Sequence, residues 1–298
     1  MELIKIDDHI TAIDHDLIAR PGIGATYVVQ GDDIALIETG TSYTVQKTLA
    51  GLEYLGIRRE AVGHILCTHV HMDHAGGAGY LAAVLPNASV YIHRMTGQHL
   101  VDPSRLLPSV RRAVGEDAWP YHGDIKPIDA DRLKPAEDLR LDLGNDVILQ
   151  AVPTPGHSAD HIAYHELKSG GMFIGDGASV SMSRLDLTFP VAPPPGYDLA
   201  QHKATVQMLR GLDISRFYIT HFGAYNDVPG LLNLTDEKLD ELHGMVQKAL
   251  AAESVDVAGI ARRWLPYNPT DPDSLIARSW GEMSVNGMLR YERKRMEK

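Results

Sequence analysis

The chain lacks most of the features that mark secreted, membrane-bound or nucleic-acid-binding proteins. It has a single cysteine in 298 residues, so no disulfide can form within the chain. No apolar run approaches the roughly 18 residues that a membrane span requires, and residues 1–6 show no signal-peptide pattern. The net charge of −11 provides no basic excess for a nucleic-acid groove. We therefore expect a cytoplasmic protein that binds neither membranes nor nucleic acid.

Two familiar catalytic motifs are also absent. The glycine cluster Gly76-Gly77-Ala78-Gly79 lacks the Gly-Lys-Ser/Thr ending of a phosphate-binding loop. No Gly-x-Ser-x-Gly pentapeptide occurs, which argues against a serine nucleophile on a strand-to-helix elbow. The length suffices for one large α/β domain with elaborations or for two small domains.

One short segment is dense in side chains that bind metals. From Thr68 to His74 the chain reads Thr-His-Val-His-Met-Asp-His. Imidazole and carboxylate together suit Zn²⁺, Fe or Mn. The apolar run before this segment predicts a short buried strand, and the glycines after it predict a tight turn into a helix. Side chains on such a loop can converge on one point, whereas those on a straight strand or helix cannot.

Three further candidate ligands stand directly after short apolar runs, namely His157, Asp176 and His221. Taken alone, any of them could be a turn residue or a core histidine. Four strand-end positions of the same kind in one chain favour a metal site, because the first loop supplies too few ligands for two metals. His161, four residues beyond His157, is interpreted as a supporting or structural residue rather than a ligand.

The order H-x-H-x-D-H, then G-H, then G-D, then T-H resembles the metallo-β-lactamase superfamily, in its glyoxalase II-like branch with two metals. The matching positions are His69, His71, Asp73, His74, His157, Asp176 and His221. The resemblance implies one metal held by His69, His71 and His157, a second held by Asp73, His74 and His221, and Asp176 as the bridge. It implies two divalent ions, with zinc as the first expectation and iron or manganese as alternatives.

The resemblance also implies an α/β fold, namely an αββα sandwich of two mixed sheets flanked by helices, with a C-terminal helical extension. Periodicity alone supports only an α/β chain with many short strands. Its first strands are predicted at residues 3–6, 10–13, 25–30 and 33–38. We expect a catalytic domain over residues 1–232, with a cap insertion at about 94–128, and the helical extension over residues 233–298.

Helix starts are predicted from capping residues. Thr41-Ser42 is expected to cap a helix toward Leu55, and Thr235 is expected to begin the first C-terminal helix. A second helix is expected from near Ser254, and a third from about Asp273. These helices could cover a pocket or form the interface of a homodimer.

Two segments are expected to shape a pocket beside the metals. One is the cap insertion, and the other is the loop from Met182 to Tyr197 with its three consecutive prolines, which is stiff in polyproline geometry. The residues proposed to line the pocket are Met182, Phe189, Tyr197 and Tyr225.

These observations predict a dinuclear metal-dependent hydrolase acting on a small-molecule substrate. A metal-bridging hydroxide would attack a carboxylic thioester, ester or lactone, with Asp73 as the catalytic residue that orients the water. Thioesters fit a site without an obvious general acid, because a thiolate leaves without a proton. Three alternatives stay open: a mononuclear iron sulfur dioxygenase, a phosphodiesterase, and a regulatory protein that retains the fold.

Overall fold

A seven-stranded sheet forms the first half of the computed structural model, which describes residues 2–182, 186–252, 254–268 and 274–297. Its strands are β1 Leu3–Lys5, β2 Ile10–Asp14, β3 Ala25–Gln30, β4 Ile34–Ile37, β5 Val62–Leu66, β6 Ser89–Ile92 and β7 Leu133–Pro135. They lie side by side in sequence order. The pairs from β1 to β4 are antiparallel, and those from β4 to β7 are parallel.

A second sheet and a small separate pair follow. The strands are β8 Arg140–Asp142, β9 Ile148–Pro153, β10 Ile162–Glu166, β11 Gly171–Phe173, β12 Ser179–Met182, β13 Leu187–Pro190, β14 Arg216–Ile219 and β15 Gly223–Tyr225. The second sheet has the order β15-β14-β11-β10-β9-β8, and β12 pairs with β13 alone. Within the second sheet, β11 and β14 are parallel, and the other pairs are antiparallel.

Helices connect the strands and close the chain. They are α1 Val45–Tyr54, α2 Met72–Ala75, α3 Ala78–Val84, α4 Arg94–Val101, α5 Leu106–Val114, α6 Leu199–Arg210, α7 Val228–Ala251, α8 Val257–Trp264 and α9 Ser274–Met296. Among the described residues, no helix combines the length and the apolar composition that crossing a membrane would require.

The two sheets pack against each other through an aromatic core. Side chains alternate along a strand, so Tyr27 of β3 points into this core while its neighbour Val28 packs on the outer side. The ring of Tyr27 meets that of Phe173 from the second sheet edge-on at 5.2 Å. Helices α1 and α3 cover the outer face of the first sheet, and α6 and α7 cover that of the second. The expected αββα sandwich is confirmed.

The C-terminal helices build a core of their own. Trp264 of α8 is fully buried there, and its ring meets Phe189 of β13 at 5.7 Å. The Trp264 Nε1–H donates to the carbonyl of Lys238 in α7 at 3.1 Å. Residues of α7, α8 and α9 share this cluster with β12 and β13. The helical extension is therefore packed against the sandwich, and it reaches the side where the proline-rich loop lies.

The four strands predicted from the sequence agree with β1 to β4 within one residue at each end. The predicted starts of helices α1 and α7 were wrong. Helix α1 begins after Thr44 rather than being capped by Thr41-Ser42. Helix α7 begins at Val228 rather than at Thr235, because the side chain of Asp227 accepts the backbone N–H of Gly230 at 3.0 Å.

Thr235, which was predicted to begin a helix, lies in the interior of α7. Its hydroxyl is buried and donates to the carbonyl of Leu231 at 2.8 Å, as threonine does in helix interiors. Helix α8 begins at Val257, later than the predicted start near Ser254. The start predicted near Asp273 lies outside the described residues. The expected boundary at residues 232 and 233 lies within α7, and the division into a catalytic domain and an extension stays a prediction.

Candidate metal centre

The candidate ligands stand on loops that leave the ends of four strands at the same edge of the sandwich. The loop after β5 carries His69 and His71 and enters the short helix α2. The loops after β9, β11 and β14 carry His157, Asp176 and His221. All seven residues predicted from the sequence fall into three overlapping groups whose ligand atoms lie within 4.8 Å of one another.

The first group consists of three histidines. The Nδ1 atom of His71 lies 2.8 Å from Nε2 of His69 and 3.0 Å from Nε2 of His157. Burial lowers the pKa of all three, to about 3 for His157. The imidazoles are therefore neutral at physiological pH, which is the form that binds metals. Three lone-pair nitrogens converging on one point form a donor set for a single cation.

The second group combines a carboxylate with two histidines. The Nε2 atoms of His74 and His221 lie 3.2 Å apart. Oδ2 of Asp73 is 3.5 Å from Nε2 of His221 and 3.9 Å from that of His74. Burial alone would raise the pKa of Asp73, but the charge of His74 and the neighbouring His221 outweigh it and hold the pKa below its usual range.

Asp176 lies between the two groups. Its Oδ2 is 3.4 Å from Nε2 of His157 in the first group and 3.4 Å from Nε2 of His74 in the second. Its Oδ1 is 3.8 Å from Nε2 of His221, and it is buried without a hydrogen-bond partner. A buried carboxylate oxygen with no donor is costly unless a cation satisfies it. The unpartnered oxygen and the converging nitrogens therefore form a donor set that fits divalent metal ions.

Backbone carbonyls fix the orientation of two ligand rings. Nδ1 of His157 lies 2.9 Å from the carbonyl oxygen of Val191, and Nδ1 of His221 lies 2.7 Å from that of Ile23. A carbonyl can only accept, so each Nδ1 carries the proton and each Nε2 presents its lone pair to the centre. The tautomers follow from these contacts.

Glu38, at the end of β4, supports both groups and was missed by the sequence analysis. It is fully buried, and its Oε1 accepts the hydroxyl of Thr68 at 2.6 Å and lies 3.1 Å from Nδ1 of His74. The Thr68 hydroxyl in turn lies 2.9 Å from Nδ1 of His69. One carboxylate thus orients a ligand of each group. An acid at the end of an apolar strand was the signal that could have identified it.

Asp160 is a second supporting acid that the sequence analysis missed. Its Oδ2 accepts the backbone N–H of Val70 at 3.0 Å, within the ligand loop. The same oxygen accepts the hydroxyl of Thr96 in α4 at 2.7 Å. Asp160 therefore ties the ligand loop to the cap insertion.

His161 belongs to none of the three ligand groups, in agreement with its predicted supporting role. Its Nδ1 lies 2.7 Å from the hydroxyl of Thr154, and its Nε2 accepts the backbone N–H of Asp176 at 3.0 Å. Both nitrogens are thus occupied away from the metals. Gly175 allows this approach: its φ is +52°, and a Cβ there would lie 2.7 Å from both His161 and Thr68.

The charges of His74 and the surrounding carboxylates stabilise one another. Burial lowers the pKa of His74, but the carboxylates of Asp176, Glu38 and Asp73 outweigh it and hold that pKa well above its usual value. Burial raises the pKa of Asp176, and His74, His157 and His221 reverse this and hold it well below the usual range. The carboxylates of Asp73 and Asp176 are therefore ionised at neutral pH.

A cavity of about 320 Å³ opens onto the ligands, within the usual size range of small-molecule sites. The cap insertion, the prolines at 193–195 and helix α9 line it, as expected for the first two segments. The ring of Trp280 from α9 lies 4.9 Å from that of His221. The predicted lining residues Met182, Phe189, Tyr197 and Tyr225 were wrong, because none of them borders this cavity. Phe189 instead packs in the C-terminal core.

Comparison with known proteins agrees with this architecture. A family model described as the metallo-beta-lactamase superfamily matches residues 19–221. In solved structures, a metallo-beta-lactamase superfamily protein from Sulfolobus tokodaii has a TM-score of 0.73 at 21% identity, over 94% of this chain and 98% of the other. A family protein from Thermus thermophilus has a TM-score of 0.67 at 20% identity, over 92% and 89%. At such identities the likeness shows the fold.

Among curated proteins, a lactamase-like protein of Neosartorya fischeri is 26% identical over 68% of this chain and 52% of its own length. A protein of Emericella nidulans named a thioesterase is 28% identical, over 68% of this chain and 47% of its own length. An Aspergillus fumigatus protein named atrochrysone carboxyl ACP thioesterase is 25% identical, over 70% and 40%. The chain thus spans about half the length of the curated relatives it matches.

Proposed function

The chain belongs to the metallo-beta-lactamase superfamily, and on this basis we propose that it is a dinuclear metal-dependent hydrolase of carboxylic thioesters. The observation that carries the proposal is the position of Asp176, which lies between two ligand groups and has a buried carboxylate oxygen without a hydrogen-bond partner. The ions would be held by His69, His71 and His157 on one side and by Asp73, His74 and His221 on the other. Zinc is the expected metal, with iron and manganese as alternatives.

When bound, two divalent cations lower the pKa of water toward neutrality and polarise a carbonyl oxygen. The protein itself contributes orientation. Asp73 borders the cavity and is ionised, so its carboxylate can accept a hydrogen bond from the attacking water and direct the oxygen lone pair toward the substrate. Trp280 and Met283 form an apolar wall that excludes bulk water beside the second group.

The choice of a thioester follows from the acids of the site. A general acid must be protonated at the working pH to assist a poor leaving group. The pKa values of Asp73 and Asp176 are held low, and Asp160 already accepts two hydrogen bonds. A thiolate needs no such proton, whereas an alkoxide does. Two curated relatives named as thioesterases support the same bond type.

The test uses purified protein reconstituted with Zn²⁺, Mn²⁺ or Fe²⁺ and a panel holding a thioester, an oxyester, a lactone and a phosphodiester. We expect thioester cleavage at about two metal ions per chain, abolished in His71→Ala. His243→Ala is the matched control, because this histidine bonds Glu292 at 2.8 Å and belongs to none of the ligand groups.

Other outcomes would name a different chemistry. Binding of a single iron with oxygen consumption on persulfides would replace the proposal with a sulfur dioxygenase. Cleavage of the phosphodiester alone would make the protein a phosphodiesterase. A metal-replete protein that cleaves no substrate of the panel above the level of His71→Ala would contradict hydrolysis of these bonds.

A further inference from the structure

Most of the cavity wall is apolar, and one helix supplies a long stretch of it. The lining residues of the α5 region recur on one helical face: Arg105, Leu106, Ser109, Val110, Ala113 and Val114. The first and last of these are nine residues apart, which corresponds to about 13 Å along a helix. Trp280, Met283 and Pro194 add further apolar surface. This wall suits an apolar acyl chain.

Several polar side chains that line the cavity lack partners, among them the buried Ser158 and three residues of the cap insertion. Arg105, His99 and Ser109 make no hydrogen bond or ion pair with any described residue, whereas Thr96 and His122 on the same wall are bonded within the protein. Arg105 is exposed, and His99 and Ser109 are half-buried, so they stand toward the solvent side of the cavity. Of the described lining residues, Arg105 alone is a lysine or arginine.

Arg105 and His99 lie on the same side of the cap. The backbone N–H of Ser104 holds the pKa of Asp102 below its usual value, and the charges of Arg105 and His99 lower it further. Asp102, three positions from each of them in the chain, forms no ion pair with either, and its Oδ1 already accepts the N–H of Ser104 at 3.1 Å. The guanidinium therefore remains available to a ligand.

The two arginines of α5 itself, Arg111 and Arg112, do not line this cavity. Arg111 is held by Glu116 through two contacts, at 2.8 Å and 2.6 Å. Arg112 borders a different, polar cavity between α5 and α9 and does not line the one beside the metals. A ligand anion would supply Arg105 with the kind of partner that Glu116 supplies to Arg111.

We propose that Arg105, His99 and Ser109 form an anion subsite at the rim of the cavity, where they bind a negatively charged group of the substrate. The inference rests on the proposed thioester hydrolysis for the rest of the ligand. The planar guanidinium suits a bidentate contact with a carboxylate or a phosphate. The anion could be a carboxylate at the far end of the acyl chain or the phosphate of a pantetheine-type leaving group.

The test measures binding rather than turnover, with amide analogues in which nitrogen replaces the thioester sulfur. One pair compares glutaryl with pentanoyl groups on mono-N-acetylated ethylenediamine, the nitrogen analogue of N-acetylcysteamine, and differs only in that a carboxylate replaces the terminal methyl of the acyl group. The other pair compares pentanoyl-phosphopantetheine with pentanoyl-pantetheine amides, and differs only in the phosphate. Because amides bind without cleavage, the result is independent of whether the enzyme hydrolyses thioesters.

For the zinc-reconstituted protein, calorimetry should show tighter binding of the charged member of at least one pair. Arg105→Gln should raise the Kd of that member by about five- to thirtyfold and change the neutral member less than about twofold. Arg105→Lys should retain part of the preference, and Arg112→Gln, the matched control on the same helix, should retain all of it. The pair that responds identifies the anion as carboxylate or phosphate.

Two results would overturn the proposal. One is equal binding of the charged and neutral members by the wild-type protein, including no measurable binding of any analogue. The other is an Arg105→Gln variant that weakens both members of each pair equally, since that pattern would mark Arg105 as a packing residue.

Discussion

The two ligand groups differ in charge and in access, although they share one carboxylate. The first group has three neutral imidazoles whose pKa values are lowered by burial, and His71 and His157 border the cavity. In the second group, His74 and His221 are fully buried, and the pKa of His74 is raised by surrounding carboxylates. Trp280 covers His221. The first group thus offers neutral nitrogen donors beside the cavity, and the second combines two enclosed imidazoles with a carboxylate, Asp73, that reaches the cavity.

This difference indicates that metal affinity depends on different properties at the two groups. At the first group, affinity depends on the geometry of nitrogen lone pairs that are already free of protons. At the second, the excess of carboxylates attracts cations, including the proton on His74, which a metal must displace. The second metal should therefore be the more sensitive to its surroundings.

The largest effect is expected when the shared carboxylate is removed. Asp176→Asn keeps the size of the side chain but removes the charge that faces both groups. We expect kcat/KM for the thioester to fall by about a thousandfold or more, and the metal content to fall from about two ions per chain to about one. Metal analysis beside thiol release measures both quantities.

Asp240→Asn is the matched control for this loss. It removes a carboxylate from the exposed face of α7, where Asp240 pairs with Lys203 at 2.5 Å. Full activity and metal content are expected there. An Asp176→Asn protein that still holds both ions and retains most of its activity would show that the two groups do not depend on a shared bridge.

The convergence of the candidate ligands could be predicted from the sequence because each of the four segments that carry them follows a short apolar strand. Strand ends that lie on one edge of a sandwich bring such residues together, whatever their distance along the chain. Glu38 and Asp160 fit the same edge, but their roles depend on partners such as His74 and Thr96, which lie 36 and 64 positions away. No local pattern records those contacts.

The pocket was less predictable than the ligands for a similar reason. The cap insertion and the prolines were identified as whole segments, but the individual lining residues were wrong. Phe189 and Tyr197 are apolar and lie on the expected loop, yet both belong to the core built with the C-terminal helices. Which face of that loop turns inward depends on α9, more than 75 residues later in the chain.

A smaller effect is expected from the acids that support each group. Glu38→Gln retains the shape of the side chain but loses the charge that orients His74, so the second metal should bind about 10- to 100-fold more weakly. Asp160→Asn, which contacts the loop backbone rather than a ligand ring, should change metal affinity much less. Competition with a chelator at fixed zinc measures both affinities. Equal losses in the two variants would remove the distinction between the supporting acids.

The smallest effect is expected for the change of metal affinity with each pH unit. This measurement distinguishes the two ligand groups most directly. His221→Ala isolates the first group, and His71→Ala isolates the second, so each affinity can be measured alone by chelator competition between about pH 5 and pH 7. The first group should show a shallower profile than the second, because burial lowers the pKa values of His69 and His71 and lowers that of His157 to about 3.

At the second group, the affinity should rise with pH by about tenfold per unit. The raised pKa means that His74 of the metal-free protein keeps its proton as the pH passes the usual histidine value, and the incoming metal must release it. Asp73 and Asp176 stay ionised throughout, because their pKa values are lowered, and they add no slope of their own. Parallel profiles for the two variants would contradict the comparison, since the proton on His74 is the feature that the first group lacks.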